Sequence, residues 1–470
     1  MKNNTKLSIN AVVITAFVTL AVILLNAIFS VVASKLPMKI DLTKDKVYEF
    51  SDYTKDVMKS IDEEISVYAL YPSNSSNNEY ITYAEEYLKK YETLNKNFKV
   101  TYIDPYENPG FAKKYEQQGQ TINAGSIIFE CGERVKIVDM EQMYSVNSFS
   151  GETQIDMEKK ITAAVMDVVG KRNSTKVYFT EGQDEYDSVQ LASALAKDGF
   201  ECEKLNISLS GIPEDADIIM MMSSSKDLTK EARDSLESYL DNGGRALFVF
   251  EPGKSKQPRL DEYLADWGIS MNYDYIIDSN PDYAFKFQNG LTIPAPKLSK
   301  HKITEKLIEQ KLVFMAPAAS SMTLNENNIN YAKITPLLTT SEKSWGKINF
   351  TSNVMDKEEG DTQGPLTVAA LAERQGSGAG KIMVIGSLQA LELDSILNET
   401  SYANGDFILN SVAYLTETET SMDIRAKVIS ASRLTMSQAQ VSAVWIVLQY
   451  LVPIAVIAIG LVVWFKRRYK

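Results

Sequence analysis

Histidine and cysteine are almost absent from this sequence, and each absence removes a class of chemistry. The 470 residues contain one His, His301, and two Cys, Cys131 and Cys202. Any Ser-His or Cys-His pair must therefore use His301, which stands in the polar stretch "KLSKHKIT", and the ligands for a zinc centre are too few. The two cysteines form no CxxC pair, so dithiol redox chemistry is excluded; their separation leaves open whether they are bonded or stay as free buried thiols. There is no G-x-S-x-G elbow. A surplus of positive charge is missing as well: 49 Lys and Arg stand against 61 Asp and Glu, a formal charge of −12. Nucleic-acid binding needs clustered basic residues to neutralise phosphates, so that partner is excluded.

The glycine-rich "RQGSGAGKIMVIG" at 374–386 lacks the parts of a phosphate loop. Gln375 occupies the position of the first required glycine, Ile382 stands where a hydroxyl residue would hold magnesium, and the apolar strand follows the glycines instead of preceding them. It reads as a turn between two strands. "DNGGR" at 241–245 reads as a helix end leading into a strand. No cofactor and no metal is expected.

Two long uncharged runs are present. Residues 7–33, "LSINAVVITAFVTLAVILLNAIFSVVA", and 441–465, "VSAVWIVLQYLVPIAVIAIGLVVWF", each suffice for a helix across a ~30 Å hydrocarbon core, and Trp445 and Trp464 lie near the ends of the second. A cleaved signal peptide is the competing reading of the first, although its apolar run exceeds the ~7–15 residues such peptides use. Lys2 and Lys6 precede the first run, while Lys466, Arg467, Arg468 and Lys470 follow the second, which predicts both termini in the cytoplasm and the body outside. With six basic residues removed from a total of −12, that body carries about −18.

Between the runs the pattern predicts two α/β regions. Residues 41–145 alternate helix and strand: a helix over 52–61 capped by Ser51, a strand at 65–71, a helix at 79–95, a strand at 99–104, a helix at 109–118 and a hairpin around "SIIFECGERVKIVD". This is a small thioredoxin-like layer without its cysteines, since 72–80 contains none. Residues 150–420 open with a helix carrying Ile161, Val165, Val168 and Val169 on one face. Apolar strands at 176–180, 216–222, 245–250 and 381–385 follow, with helices at 187–199, 229–241, 258–266 and 404–416. Continuous apolar strands separated by helices imply a doubly wound parallel sheet. The stretch of about 279–360 is polar and reads as an insertion without a core of its own.

In such sheets ligands collect at the carboxyl ends of strands, which draws attention to "KVYFTEGQDEYDS" at 176–188. Glu181, Asp184 and Glu185 there have the chemistry of an acid–base pair or a metal site, and they have equally the composition of a solvated loop with Asp187 at the start of the next helix.

Several stretches, in order, resemble the GldG family, the membrane-anchored auxiliary component of gliding-motility-associated ABC transport systems. They are "IDLTKDKVYEFSDYTKDVMKSI", "YIDPYENPGFAKKY", "LTKEARDSLESYLDNGGRALFVFEP", "GDFILNSVAYLTE" and the final run with "WFKRR". The resemblance implies a second domain similar to class I glutamine-amidotransferase-like folds and to a domain shared with an intraflagellar-transport subunit (GIFT-like), where it acts in binding. It implies as partners an ABC permease and its separate ATPase subunit, beside the lipid bilayer. Where the family carries a "GHGE"-like turn, this chain has Gly182, Gln183, Asp184 and Glu185, so the histidine is gone. The expectation is a non-catalytic accessory subunit whose ligand-contacting loop is Glu181, Gly182, Gln183, Asp184 and Glu185, with no catalytic residue. A membrane-anchored envelope hydrolase using those carboxylates and a purely structural membrane spacer are the alternatives.

Overall fold

The computed structural model describes residues 47–72, 78–116, 122–146, 153–171, 175–286, 292–325, 332–351, 355–376, 379–399, 401–418, 424 and 427–429, with Gly460, Trp464 and Arg468. The chain divides into two units, Met1–Val428 and Ile429–Lys470. Among the described residues no helix is long and apolar enough to cross a membrane. The runs at 7–33 and 441–465 lie outside them, apart from Gly460 and Trp464.

In the first unit, the amino-terminal lobe is a four-stranded mixed sheet. Ile65–Ala69 pairs in parallel with Phe98–Tyr102 and antiparallel with Ile127–Cys131, which turns back through Gly132 into Arg134–Val138. The helix Asp52–Lys59 begins as its sequence dictates, the Ser51 hydroxyl accepting the Thr54 N–H at 3.2 Å. Asn78 does the same for the helix Glu79–Leu94, whose Tyr87, Leu88 and Tyr91 are buried. The helix Met157–Val169, expected at the head of the second region, instead packs on the first sheet against Ile127–Cys131 and Arg134–Val138. Its apolar stripe is as read; it packs beside the helices Asp52–Lys59 and Glu79–Leu94 and covers the two strands of the sheet that they leave free.

The second lobe is built on a ten-stranded sheet. Five parallel strands form one side of it out to the edge, in the spatial order Glu201–Leu205, Lys176–Thr180, Ile218–Met222, Arg245–Val249, Lys381–Ile385. Alternate residues face two cores. Val177, Phe179, Met220, Leu247 and Met383 meet the helices Val189–Lys197 and Asn404–Thr416 on one side. Tyr178, Ile219, Met221, Phe248 and Val384 meet Lys230–Asp241 and Pro258–Asp266 on the other. The doubly wound expectation holds for these strands, but the sheet is mixed. Thr367–Arg374 lies antiparallel to Lys381–Ile385. The glycine turn between them explains the direction, because a connection that short can only join antiparallel neighbours.

The polar stretch 279–360 does not stand apart as an inserted lobe. Ala332–Thr339 joins the main sheet on Thr367–Arg374, and Ser344–Lys347 pairs with Tyr275–Asp278. Buried carboxylates hold these strands where apolar side chains are scarce. Asp274, with no exposed surface, accepts the Ser321 N–H and hydroxyl at 2.6 Å each. Asp278 accepts the Ser341 N–H at 2.8 Å and its hydroxyl at 2.6 Å. Hydrogen-bonded carboxylates here do the organising that a hydrophobic pattern would reveal.

Candidate functional site

The strand order places a topological switch point between Lys176–Thr180 and Ile218–Met222, since the chain winds away from that pair in both directions. Outside their carboxyl ends a crevice would open in a ligand-binding sheet of this kind. In this chain the loop after Thr180 crosses that position and bonds to the loop after Met222. The Tyr186 N–H donates to the Met222 carbonyl at 2.9 Å, the Ser225 N–H to the Asp184 carbonyl at 3.2 Å, and the Lys226 N–H to the Gln183 carbonyl at 3.0 Å. The crevice is stitched shut by backbone.

Within the stitch the five expected residues separate. Gly182 has φ +111°, and a Cβ there would lie 2.6 Å from Asn206 Nδ2. Gln183 is 3% exposed; its N–H donates to Glu185 Oε2 at 2.7 Å and its amide to Ser208 Oγ at 3.0 Å. Gly182, Gln183 and Glu185 are thus gathered with Asn206 and Ser208. Glu181 and Asp184 are exposed, the latter in an ion pair with Lys226 at 2.7 Å. The carboxylates therefore do not converge on one point. Among the described residues no three His, Cys, Asp or Glu side chains gather as a metal site.

Asp187 does not cap the following helix; it pairs with Lys204 at 2.9 Å, both exposed. Glu392, from a distant segment, takes that place, its Oε2 accepting the Gln190 N–H at 3.3 Å. Burial pushes the Glu392 carboxyl above its ordinary range, against the pull of Ser188 and the helix-start N–H groups.

Other residues at this edge gave no isolated signal in the sequence. Ser223, directly after the strand, has φ +27°, is 4% exposed and donates to Glu251 Oε1 at 2.9 Å. Glu251 in turn pairs with Lys254 at 3.1 Å, and Ser224 is locked to Gln257 by two hydrogen bonds. The only hint was the run "SSS" following an apolar strand. Ser223 has no histidine to activate it. His301 packs edge-on to Tyr414 at 4.8 Å, and Tyr414 lies 5.2 Å from Nζ of Lys381 at the amino end of its strand, the opposite end of the sheet. Burial lowers the His301 pKa, so at neutral pH the ring is uncharged, its Nδ1 accepting the Ile303 N–H.

Among the described residues, the buried oxygens without a partner in and beside the stitch include Thr180 Oγ1, Gln183 Oε1, Glu185 Oε1 and Asn206 Oδ1. Leu209, 85% exposed, and Val189, 62% exposed, stand nearby on the two short helical segments that start here, with Tyr186 exposed on the loop itself. The exposed apolar groups are suited to meet another molecule, whereas the orphan oxygens lie behind the surface.

Among known proteins, a family model described as ABC-type uncharacterized transport system matches residues 174–411. A model for a domain of unknown function matches residues 44–179. No curated protein matches the chain. Solved structures similar to it include the mmIFT52 N-terminal domain, at 17% identity over 51% of this chain and 97% of that one, TM-score 0.39. A ThuA-like protein from Bacteroides uniformis is 15% identical over 50% of this chain and 95% of its own, TM-score 0.28. An exo-β-1,4-mannosidase from an Opitutaceae bacterium is 11% identical over 73% of this chain and 50% of its own, TM-score 0.28. At these scores the likeness settles neither fold nor function for this chain.

Proposed function

We propose that this chain, which belongs to the family described as ABC-type uncharacterized transport system, is a non-catalytic, extracytoplasmic accessory subunit of an ABC transporter complex. Its partners are a permease and a separate ATPase. It carries no nucleotide motif of its own, in keeping with energy supplied elsewhere. The single observation behind the non-catalytic reading is the stitched switch point. Where a substrate would enter, the chain bonds to itself, and Asp184, Asp187 and Glu185 are spent on Lys226, Lys204 and the Gln183 N–H.

The reading extends to topology. Both apolar runs act as membrane anchors, with the termini in the cytoplasm and the body outside. The described residues nearest each run meet: Lys427 Nζ donates to the Val47 carbonyl at 3.4 Å and to the Glu49 carbonyl, and pairs with Glu158 at 2.8 Å. Two anchors in one bilayer need the ends of the body close together, and this contact is in keeping with that. The strand order of the first lobe fits a thioredoxin-like layer, and the five parallel strands fit the glutamine-amidotransferase-like class. The exposed surface of Tyr186, Val189 and Leu209 is the partner-contacting face.

Recovery of the full-length chain in mild detergent tests this. A multi-span permease and an ATPase should accompany it, and Leu209→Asp with Val189→Asp should reduce that recovery while the chain still reaches the membrane. Hydrolysis of a glycan or peptide by the purified chain, abolished by replacing Glu181, Asp184 and Glu185 with amides, would restore the envelope-hydrolase alternative.

A further inference from the structure

We infer that the first lobe holds a site for a small organic cation, an ammonium or guanidinium carried on an apolar body. A cavity of about 680 Å³ opens beyond the carboxyl ends of Ile65–Ala69 and Phe98–Tyr102, lined by Pro72, Tyr102, Asp104, Glu107, Asn108 and Phe111 among others. Its volume lies within the ~300–1,000 Å³ of small-molecule sites. In a βαβ layer this is the end where loops diverge and ligands enter.

The lining is acidic and aromatic, without a basic residue. The turn "DPYEN" sets the two carboxylates in place: Asp104 Oδ1 accepts the Tyr106 N–H at 2.8 Å, and the Asp104 carbonyl accepts the Asn108 N–H at 2.9 Å. Among the described residues neither Asp104 nor Glu107 forms an ion pair. Lys114, on the segment that follows, is turned to Glu130 at 4.0 Å and to the Tyr115 ring at 4.8 Å. Phe111 is steadied edge-on by Tyr68 at 5.0 Å, and Tyr106 stands 86% exposed within the same turn.

Behind this rim lie two hydroxyls without partners. Tyr71 and Tyr102, rings 5.8 Å apart, both have buried oxygens with no hydrogen bond, and Tyr71 adjoins the lining residue Pro72. Burial pushes the Tyr102 phenol up to about 12, with Glu85, Glu92 and Glu86 adding to the push. Unpaired carboxylates and aromatic faces together select a cation with apolar surface; an anion is repelled, and a neutral sugar has no use for the excess charge. This site lies on a different lobe from the proposed partner face, and either assignment stands if the other fails.

The test uses full-length chain in nanodiscs and saturation-transfer NMR with two isosteric probes, phenethylammonium and 2-phenylethanol. Phenethylammonium should bind at least about tenfold more tightly, the gain expected of one well-placed charge contact. Asp104→Asn with Glu107→Gln should bring its affinity down to that of the alcohol without moving the melting temperature, and Phe111→Ala should weaken both probes. Equal binding of the two probes, ammonium binding indifferent to the double substitution, transfer to neither probe at millimolar concentration, or preferential binding of trehalose would each overturn the assignment.

Discussion

Gly182 shows how much of the candidate site depends on one missing side chain. Its φ of +111° is strained for any residue with a Cβ, and a Cβ would press on the Asn206 amide at 2.6 Å. Gly182→Ala should therefore destabilise the chain by about 1–3 kcal/mol, the usual cost of such backbone strain. It should also displace Asn206 and lower recovery of the transporter partner; an unchanged melting temperature would show that the loop relaxes freely. Asp274 is the counterpart in the polar stretch. Asp274→Ala would strand the Ser321 N–H and hydroxyl without an acceptor in a site of zero exposure. The expected loss is on the order of 3 kcal/mol, seen in denaturant unfolding. Asp274→Asn keeps one acceptor oxygen and should cost less. Both cysteines, left undecided by spacing, are free and half-buried; burial pushes the Cys202 thiol up to about 11.

At the scale of elements, the junction between the helices Met157–Val169 and Val189–Lys197 couples the two lobes. Lys159 pairs at 2.5 Å with Asp198, which is 7% exposed and follows the second helix. Burial opposes the Lys159 charge, but Asp198 and Asp156 outweigh it, and its pKa is raised above the ordinary value. The folded chain thus holds this proton more tightly than the unfolded chain does. The stability so gained is complete below the unfolded pKa of about 10.4 and is lost as pH rises through the folded value. Lys159→Met should cost ~2–4 kcal/mol at neutral pH, between exposed and fully buried pairs, because Asp198 loses this ion pair. The variant should also show a shallower decline in melting temperature above about pH 10 than the parent; parallel curves would remove the pair from the coupling.

For the whole molecule, the proposed pair of membrane anchors is in keeping with the meeting of Lys427 with Val47, Glu49 and Glu158. Tags at either terminus should be protected from protease in intact cells or protoplasts, while the body between 41 and 435 should be digested. A mature chain beginning at Ser34 would convert the first run into a cleaved signal and remove the two-anchor arrangement. Replacing residues 441–465 with an unrelated apolar helix should preserve insertion and weaken recovery of the permease, since isolated polar groups such as Gln449 contribute only about 0.6–2 kcal/mol to helix contacts. Unchanged recovery would assign the partner contact to the body alone.

The sequence by itself determined the strands Lys176–Thr180 and Lys381–Ile385, the helices Pro258–Asp266 and Asn404–Thr416, and the hairpin through Gly132, all at or near their observed bounds. Each is written in local periodicity, capping or turn chemistry, which neighbouring residues carry without outside help. It also located the loop after Thr180 at a strand end and excluded a histidine-based site from a count of one. Only the tertiary structure decided that Met157–Val169 covers the first sheet, that Ala332–Thr339 joins the second, and that Glu392, Asn206 and Ser225 meet the segment after Thr180. Those outcomes depend on which uncovered face or unpaired N–H a distant segment satisfies. Burial and hydrogen bonding impose that condition on space and leave no period in the chain to read.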